Sequence, residues 1–419
     1  MSRIVENFKE LSSKRRCSFD AEEAFLFLQE FCKKNGYVVK TDDAKNIVAT
    51  KNSPSIYLQA HYDMVCLGET PPTIEIEGNI LKAKNSTLGA DNGIGIAYMM
   101  EQVRQQRDIG LIFTSDEEVG LLGARGLDID FSGRYLINLD FESEGEICVG
   151  CAGGFDIKAS LPLEYENKPI SNTYNIKSSG FSGGHSGIEA GKKSAIKELV
   201  KLLYQDDLTL IDISGGEKIN SIPKHASATV CTQGSIASTP HFGIKKIDSE
   251  KKLIKNSKNI IELLYLLHDG ILEYDRELGG VQTSFNISLI YIENGRFYIE
   301  GMGRSNKKDE QLHLKAKTEL LLQKFGFEDI EVFSYFEPWD VEKGELQNIG
   351  LEVFREFFEN PKVSTIHAGL ECGILAKYFK EVISIGPNIY APHTKEEYAE
   401  IDSIEKTYNA LEALIKRLC

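Results

Sequence analysis

Two stretches of one α/β pattern, separated by a stretch of a different kind, constrain the fold of this chain more than any other feature. A helical lead spans residues 1–36, with Phe25, Leu26, Leu28 and Phe31 on its apolar face. Short apolar runs (SIYLQA, IGLIFTS, RYLINLD) then alternate with helical segments such as GIGIAYMMEQVRQQ as far as about residue 150. Such alternation builds a largely parallel sheet with helices on its faces. From about 155 to 338 the pattern changes to long amphipathic helices (KNIIELLYLLHDGILEYDREL, LHLKAKTELLLQKFG) and alternating strands. One of these, TSFNISLIYIENGRFYIEG, contains Asn294-Gly295, a strong hairpin-turn pair. After Trp339 the first pattern returns through EVISIGP. The expected organisation is an α/β domain formed by 1–154 and 339–419, with an α+β domain of 155–338 inserted into it. A length of 419 residues supports two cores, because single cores rarely grow past ~250–300 residues.

Five residues recur in a fixed order, most of them closing an apolar run: His61 in YLQAHYDMV, Asp91 in LGADNGIG, Glu118 in FTSDEEVG, Asp140 in LINLDFES and His393 in YAPHTKEE. Parallel sheets bind ligands beyond the carboxyl ends of their strands, which is where His61, Glu118 and Asp140 fall. Two imidazoles and three carboxylates suit two divalent cations of borderline softness, with zinc the first choice and cobalt or manganese as alternatives. A carboxylate bridging two ions gives a paired centre for hydrolytic attack on an amide. His61 and Asp63 leave the same strand face, so the carboxylate can accept the spare imidazole N–H and fix its tautomer. Asp91 stands at a helix start, the place for a bridging ligand or, more plainly, an N-cap. Neighbouring side chains diverge, so Glu118 can bind metal while Glu117 serves as general base on the attacking water.

Composition excludes several other classes. The formal net charge of −15 disfavours a nucleic-acid partner, whose binding relies on Lys and Arg. No apolar run approaches the ~18 residues of a membrane span, and the N-terminal region alternates charged with apolar positions, unlike a signal peptide. A cytoplasmic protein acting on a small diffusible substrate is expected. The eight cysteines show no dense pattern and fit a reducing compartment. Cys148 and Cys151 form a C-x-x-C, but on a strand residues three apart face opposite sides, so the thiols should not converge.

The strings HYDMV, LGADNGIG, DEEVGLLGA, INLDFESEGEICVGCAGG, SGGHSG, HAGLECG and PHTKEE resemble those of the aminoacyl-histidine (Xaa-His, peptidase D) dipeptidase branch. That branch belongs to the co-catalytic zinc peptidase family that includes carboxypeptidase G, aminoacylase and carnosinase. The resemblance implies that His61, Asp140 and His393, with Glu118, hold two zinc ions and that Asp91 bridges them. It implies further that Asp63 orients His61, that Glu117 is the base, and that the Asp91-Asn92 peptide is cis. The inserted domain then resembles a lid through which a homodimer would form. His185 in GGHSG matches the histidine that stabilises the oxyanion, in some relatives from a partner subunit. Arg304 in GMGRSN resembles the arginine that clamps the substrate carboxylate, with Asn220 a second candidate for that subsite. His367 and Glu371 of HAGLECG are expected to line the substrate pocket with no assigned step. His225, His241, His268 and His313 match no motif and read as surface residues.

The chain departs from the pattern at Cys66, where relatives carry proline, at Ser194 in place of asparagine and at Asn306 in place of serine. It is also shorter than the longest bacterial relatives, with the deficit expected in the lid. The expected activity is hydrolysis of unblocked dipeptides, of Xaa-His type or broader. The alternatives within the family are a tripeptidase and an amidohydrolase of N-acyl amino acids. A binding protein that kept the fold without catalysis is a third, distinct reading, against which the intact Glu117 speaks.

Overall fold

A computed structural model describes residues 2–167, 172–205, 208–236, 239–248, 252–277, 279–339 and 344–419. Two compact units emerge. The first comprises Met1–Cys151, Val341–Thr365 and Leu370–Cys419; the second comprises Ala152–Asp340 and Ile366–Gly369. The short segment Ile366–Gly369, read from sequence as part of the α/β domain, therefore groups with the inserted unit.

An eight-stranded sheet forms the centre of the first unit, in the order Val38–Thr41, Ile47–Thr50, Gly110–Thr114, Ile56–His61, Tyr135–Asn138, Glu381–Ser384, Glu146–Cys151, Lys362–Ile366. The four strands from Gly110–Thr114 to Glu381–Ser384 pair in parallel. Every residue of Ile56–His61 is buried, as expected for a parallel strand covered on both faces. The helix Ala90–Arg104 is buried along nearly its whole length, which its apolar sequence IGIAYMM allows on all sides. The helix Arg3–Ser12 packs against it, and Glu345–Phe357 packs against Ile401–Leu418. The N-terminal lead is two helices, Arg3–Ser12 and Glu22–Lys34, and Leu26, expected on the apolar face, is exposed.

Cys17 and Cys66 are joined in a disulfide, a pairing that the cysteine spacing does not reveal. The residues meet because the segment around Cys17 runs beside Met64. Cys148 and Cys151 are not joined in a disulfide; the first thiol donates to the carbonyl of Gly150 and the second to that of Leu370. Among the described residues no helix is long and apolar enough to cross a membrane.

The second unit is an antiparallel sheet with helices Ala195–Gln205, Ser257–Leu266 and Lys308–Lys324. Its longest hairpin joins Val281–Glu293 to Arg296–Ser305, closing with Glu293 opposite Arg296. Asn294 (φ 49°) and Gly295 (φ 74°) supply the two left-handed residues that such a turn requires. The run KNIIELLYLLHDGILEYDREL is not one helix. It breaks after Leu266 and continues as the strand Gly270–Tyr274, because Gly270 takes φ 96° and turns the chain onto the sheet edge.

Candidate metal centre

Gly110–Thr114, Ile56–His61 and Tyr135–Asn138 lie side by side and parallel, so their carboxyl ends deliver residues to one place. His61 closes the middle strand, Asp140 follows Tyr135–Asn138 and Glu117-Glu118 follow Gly110–Thr114. Asp91 stands in the first turn of Ala90–Arg104, and its bond to Asn92 is cis. His393 comes from the turn between Ile389–Tyr390 and Tyr398–Glu400, where Ala391 and His393 both take positive φ.

The five donors form two groups that share Asp91. The His61 Nε2 atom is 2.9 Å from Asp91 Oδ1 and 3.2 Å from Asp140 Oδ1. The His393 Nε2 atom is 3.0 Å from Asp91 Oδ2 and 2.8 Å from Glu118 Oε2. Donors around a tetrahedral ion with bonds of ~2.0–2.1 Å lie roughly 3.3 Å apart, so both groups fit a cation of that size. His61, Asp91 and Asp140 make one candidate set; Asp91, Glu118 and His393 make the other. Each oxygen of Asp91 faces a different histidine, the arrangement of a bridging carboxylate. Among the described residues the buried Oε1 atom of Glu118 has no hydrogen-bond partner, as a further cation donor would be left.

Charge balance points the same way. Burial pushes the Asp140 carboxyl up to about 6 against the pull of His61. Burial also raises Glu118, with Asp91 adding to it, and raises Glu117 strongly, opposed by His61 and reinforced by Asp140 and Glu118. Burial disfavours a charged His393, but hydrogen bonds to Asp91 and Glu118 outweigh it and raise the imidazole to about 11. Carboxylates crowded in low dielectric thus hold protons on their histidines, and two cations would take the place of those protons.

Asp63 ties His61 to the Glu117-Glu118 pair. Its Oδ1 is 3.4 Å from His61 Nδ1 and accepts the Glu117 N–H at 3.0 Å, while Oδ2 accepts the Glu118 N–H at 3.4 Å. Glu397 supports the turn that carries Asp91 and was not singled out from sequence. Its carboxylate accepts the N–H groups of Leu88, Gly89 and Ala90 at 2.8–2.9 Å, capping the helix that begins beside Asp91. Its position four residues after His393 in HTKEE was the available signal. Glu142, two residues past Asp140, was missed as well; burial and then Asp91 and Asp140 push it up to about 9.

Glu371 does not line a substrate surface. It is fully buried, and its Oε2 accepts from Gln59 Nε2 at 2.5 Å and from Thr114 Oγ1 at 2.7 Å. Gln59 Oε1 in turn accepts from Asn138 Nδ2 at 2.6 Å, and Asn138 Oδ1 accepts the Asp140 N–H at 3.2 Å. Glu371 thus closes a polar ladder lying two residues below His61 and Asp140 across three strands.

In the second unit, His185, Arg304 and His367 converge. A Cβ added at Gly187 would lie 2.5 Å from the His367 carbonyl oxygen, 3.2 Å from His185 Cε1 and 3.4 Å from Arg304 Nε, so only glycine fits between them. The His185 Nδ1 atom accepts the N–H groups of Gly187 and Ile188 at 3.3 and 3.2 Å. The hydrogen of a neutral imidazole must then sit on Nε2, leaving that nitrogen as a donor. Arg304 is buried on the strand Arg296–Ser305, opposite Ser284, and is no solvent-facing hairpin residue. His367 is held neutral, lowered to about 3 by burial and by Arg304 and His185. Its Nε2 pairs with Ser284 Oγ at 2.7 Å and its Nδ1 with Asn306 Oδ1 at 3.2 Å. Asn306, one of the departures from the family pattern, therefore fixes the His367 ring. Ser194, another, caps the helix Ala195–Gln205 through Lys197 N at 3.3 Å. Asn220 is exposed next to His185, and its carbonyl accepts the Ser186 N–H at 2.9 Å. His225, His241, His268 and His313 are all exposed.

A family model described as peptidase family M20/M25/M40 matches residues 57–417. The cytosol non-specific dipeptidase of Escherichia coli (strain K12) is 29% identical, over 98% of this chain and 96% of that protein. The aminoacylhistidine dipeptidase of Vibrio alginolyticus superposes with a TM-score of 0.84 at 25% identity, covering 99% of this chain and 96% of that one. A tripeptidase from Staphylococcus aureus shares the fold, with a TM-score of 0.61 at 17% identity and coverage of 99% and 97%.

Proposed function

The chain belongs to peptidase family M20/M25/M40, and from that premise we propose that it is a dipeptidase hydrolysing unblocked dipeptides at a two-cation centre. The observation that carries this reading is Asp91, whose two carboxylate oxygens each face a different histidine. The nearly full-length likeness to a non-specific dipeptidase and to an aminoacylhistidine dipeptidase supports the substrate class. We assign His61, Asp140 and Asp91 to one cation and Asp91, Glu118 and His393 to the other, zinc being the first candidate.

Bound cations would polarise the scissile carbonyl and acidify the attacking water. Glu117 takes the proton from that water and passes it to the leaving amine, a task suited to a carboxylate whose burial raises its basicity. Asp63 keeps the His61 ring in register with Glu117 through the contacts described above. We assign the second unit the role of a lid that also forms the surface for a homodimer. In it, the His185 Nε2–H donates to the oxyanion and the Arg304 guanidinium holds the free carboxylate of the substrate, with Asn220 assisting.

The test is product release by metal-reconstituted protein from Ala-His, β-Ala-His, Leu-Gly, a tripeptide and N-acetyl-leucine. Hydrolysis confined to the dipeptides is expected, and their ranking reports whether histidine is read. Activity mainly on the tripeptide or the acylated amino acid would move the chain to a sister activity of the family. Arg304→Ala should raise KM for Ala-His by about 10- to 100-fold with a smaller change in kcat, since a charged hydrogen bond contributes ~1.5–3 kcal/mol. Equal loss on the carboxy-amidated dipeptide would remove the clamp.

A further inference from the structure

We propose that the N-terminal segment Arg16–Phe19 is a clasp that positions the cation ligands, with Arg16 and Ser18 as its positioning residues. The segment precedes the stretch 57–417 that the family model matches. It nevertheless touches each of three loops that carry the centre. On the loop after His61, Ser18 Oγ donates to Asp63 Oδ2 at 2.8 Å, and Arg16 Nη1 donates to the carbonyls of Tyr62 and Asp63 at 3.4 and 3.2 Å. On the loop before Asp91, Arg16 Nη2 donates to the Gly89 carbonyl. On the loop before Glu117, the Phe19 N–H donates to Asp116 Oδ1 at 2.6 Å. Backbone hydrogen bonds Met64 N to Arg16 O (2.9 Å) and Ser18 N to Met64 O (3.3 Å), with the Cys17–Cys66 disulfide between them, fix the segment in place.

The chemistry explains why these residue types stand there. Arg16 is fully buried, and its charge acts on Glu397, Asp63, Asp91 and Glu118, so it offsets part of the carboxylate excess from beneath. Its planar fork reaches carbonyls on two different loops through two nitrogens held in fixed geometry, a span that the single nitrogen of a lysine does not have. The glycines of LGADNG follow from it. A Cβ at Gly93 would lie 2.7 Å from Arg16 Nη2, and Gly89 has φ 68° with the same guanidinium against it. Ser18 supplies the third donor to Asp63, beside the N–H groups of Glu117 and Glu118, and so fixes the carboxylate that orients His61.

The clasp rests on the assignment of His61, Asp91 and Glu118 as ligands, and the test separates the two. Zinc binding is measured by competition with a chromophoric chelator, and kcat and KM are measured on the dipeptide that the parent protein cleaves best. Support for outer ligands is worth ~10- to 100-fold in affinity or activity. Ser18→Ala is expected to weaken zinc binding and to lower kcat about tenfold at unchanged KM, whereas Ser18→Thr, which keeps the hydroxyl, retains most of both. Arg16→Lys is expected to weaken both cations. Ser18→Ala and Arg16→Lys proteins that bind two zinc ions and turn over like the parent would overturn the clasp alone. A parent protein that binds no pair of ions would overturn the ligand assignment and the clasp with it. Ser18 is half-buried and small, so its variants keep the test decisive if the Arg16 variant fails to fold.

Discussion

Glu117→Gln should retain two cations per chain and lose about 10²- to 10⁴-fold in kcat, the range that a positioned general base contributes. The amide matches the carboxylate in shape but cannot take a proton. Its backbone N–H still reaches Asp63, so the His61 side of the centre keeps its support. Elemental analysis of the purified variant beside steady-state kinetics distinguishes the outcomes. Loss of a cation, with activity restored by excess metal, would mean that Glu117 and Glu118 have exchanged roles.

Asp91→Ala should do more damage by a different route. One side chain serves both histidines, at 2.9 and 3.0 Å, so its removal takes an anionic donor from each candidate group at once. Calorimetric titration with zinc is expected to show at most one weak site where the parent shows two, and turnover should fall by more than the ~100-fold typical of outer-ligand losses. Two intact sites in this variant would rule out Asp91 as the bridge and with it the shared centre. The distinction between the two variants is useful in itself, since one separates chemistry from metal binding and the other removes both.

The residues readable from sequence were those whose roles are set by local pattern. His61, Glu118 and Asp140 each stand at the end of an apolar run, so the strand ends pointed to the side chains that the structure brings together, and Asn294-Gly295 fixed its hairpin by turn chemistry alone. Arg16 was not readable. It lies in a basic run, Lys14-Arg15-Arg16, that reads as solvated, and only the return of residues 62–63 and 89 around it makes it a buried cation. Glu397 depends in the same way on amides more than 300 positions earlier. The motif HAGLECG was visible but not its division: His367 belongs to the second unit, while Glu371 is sealed in the first. The run after KNIIELLYLL misled because helical periodicity continued past Gly270, where one left-handed residue redirected the chain.

The order of strands in the first unit also governs how the protein comes into being on the ribosome. Glu381–Ser384 lies between Tyr135–Asn138 and Glu146–Cys151, so the sheet lacks an interior member until nearly the whole chain has been translated. The second unit is contiguous but for Ile366–Gly369 and is synthesised well before that gap is filled. During this interval Tyr135–Asn138 has one open edge and Glu146–Cys151 lacks both of its neighbours, the kind of unpaired strand edge that chaperones cover. His393 and Glu397 emerge later still. If His393 is a cation ligand as proposed, peptidase activity would not accrue gradually during synthesis but would be gained in one late step.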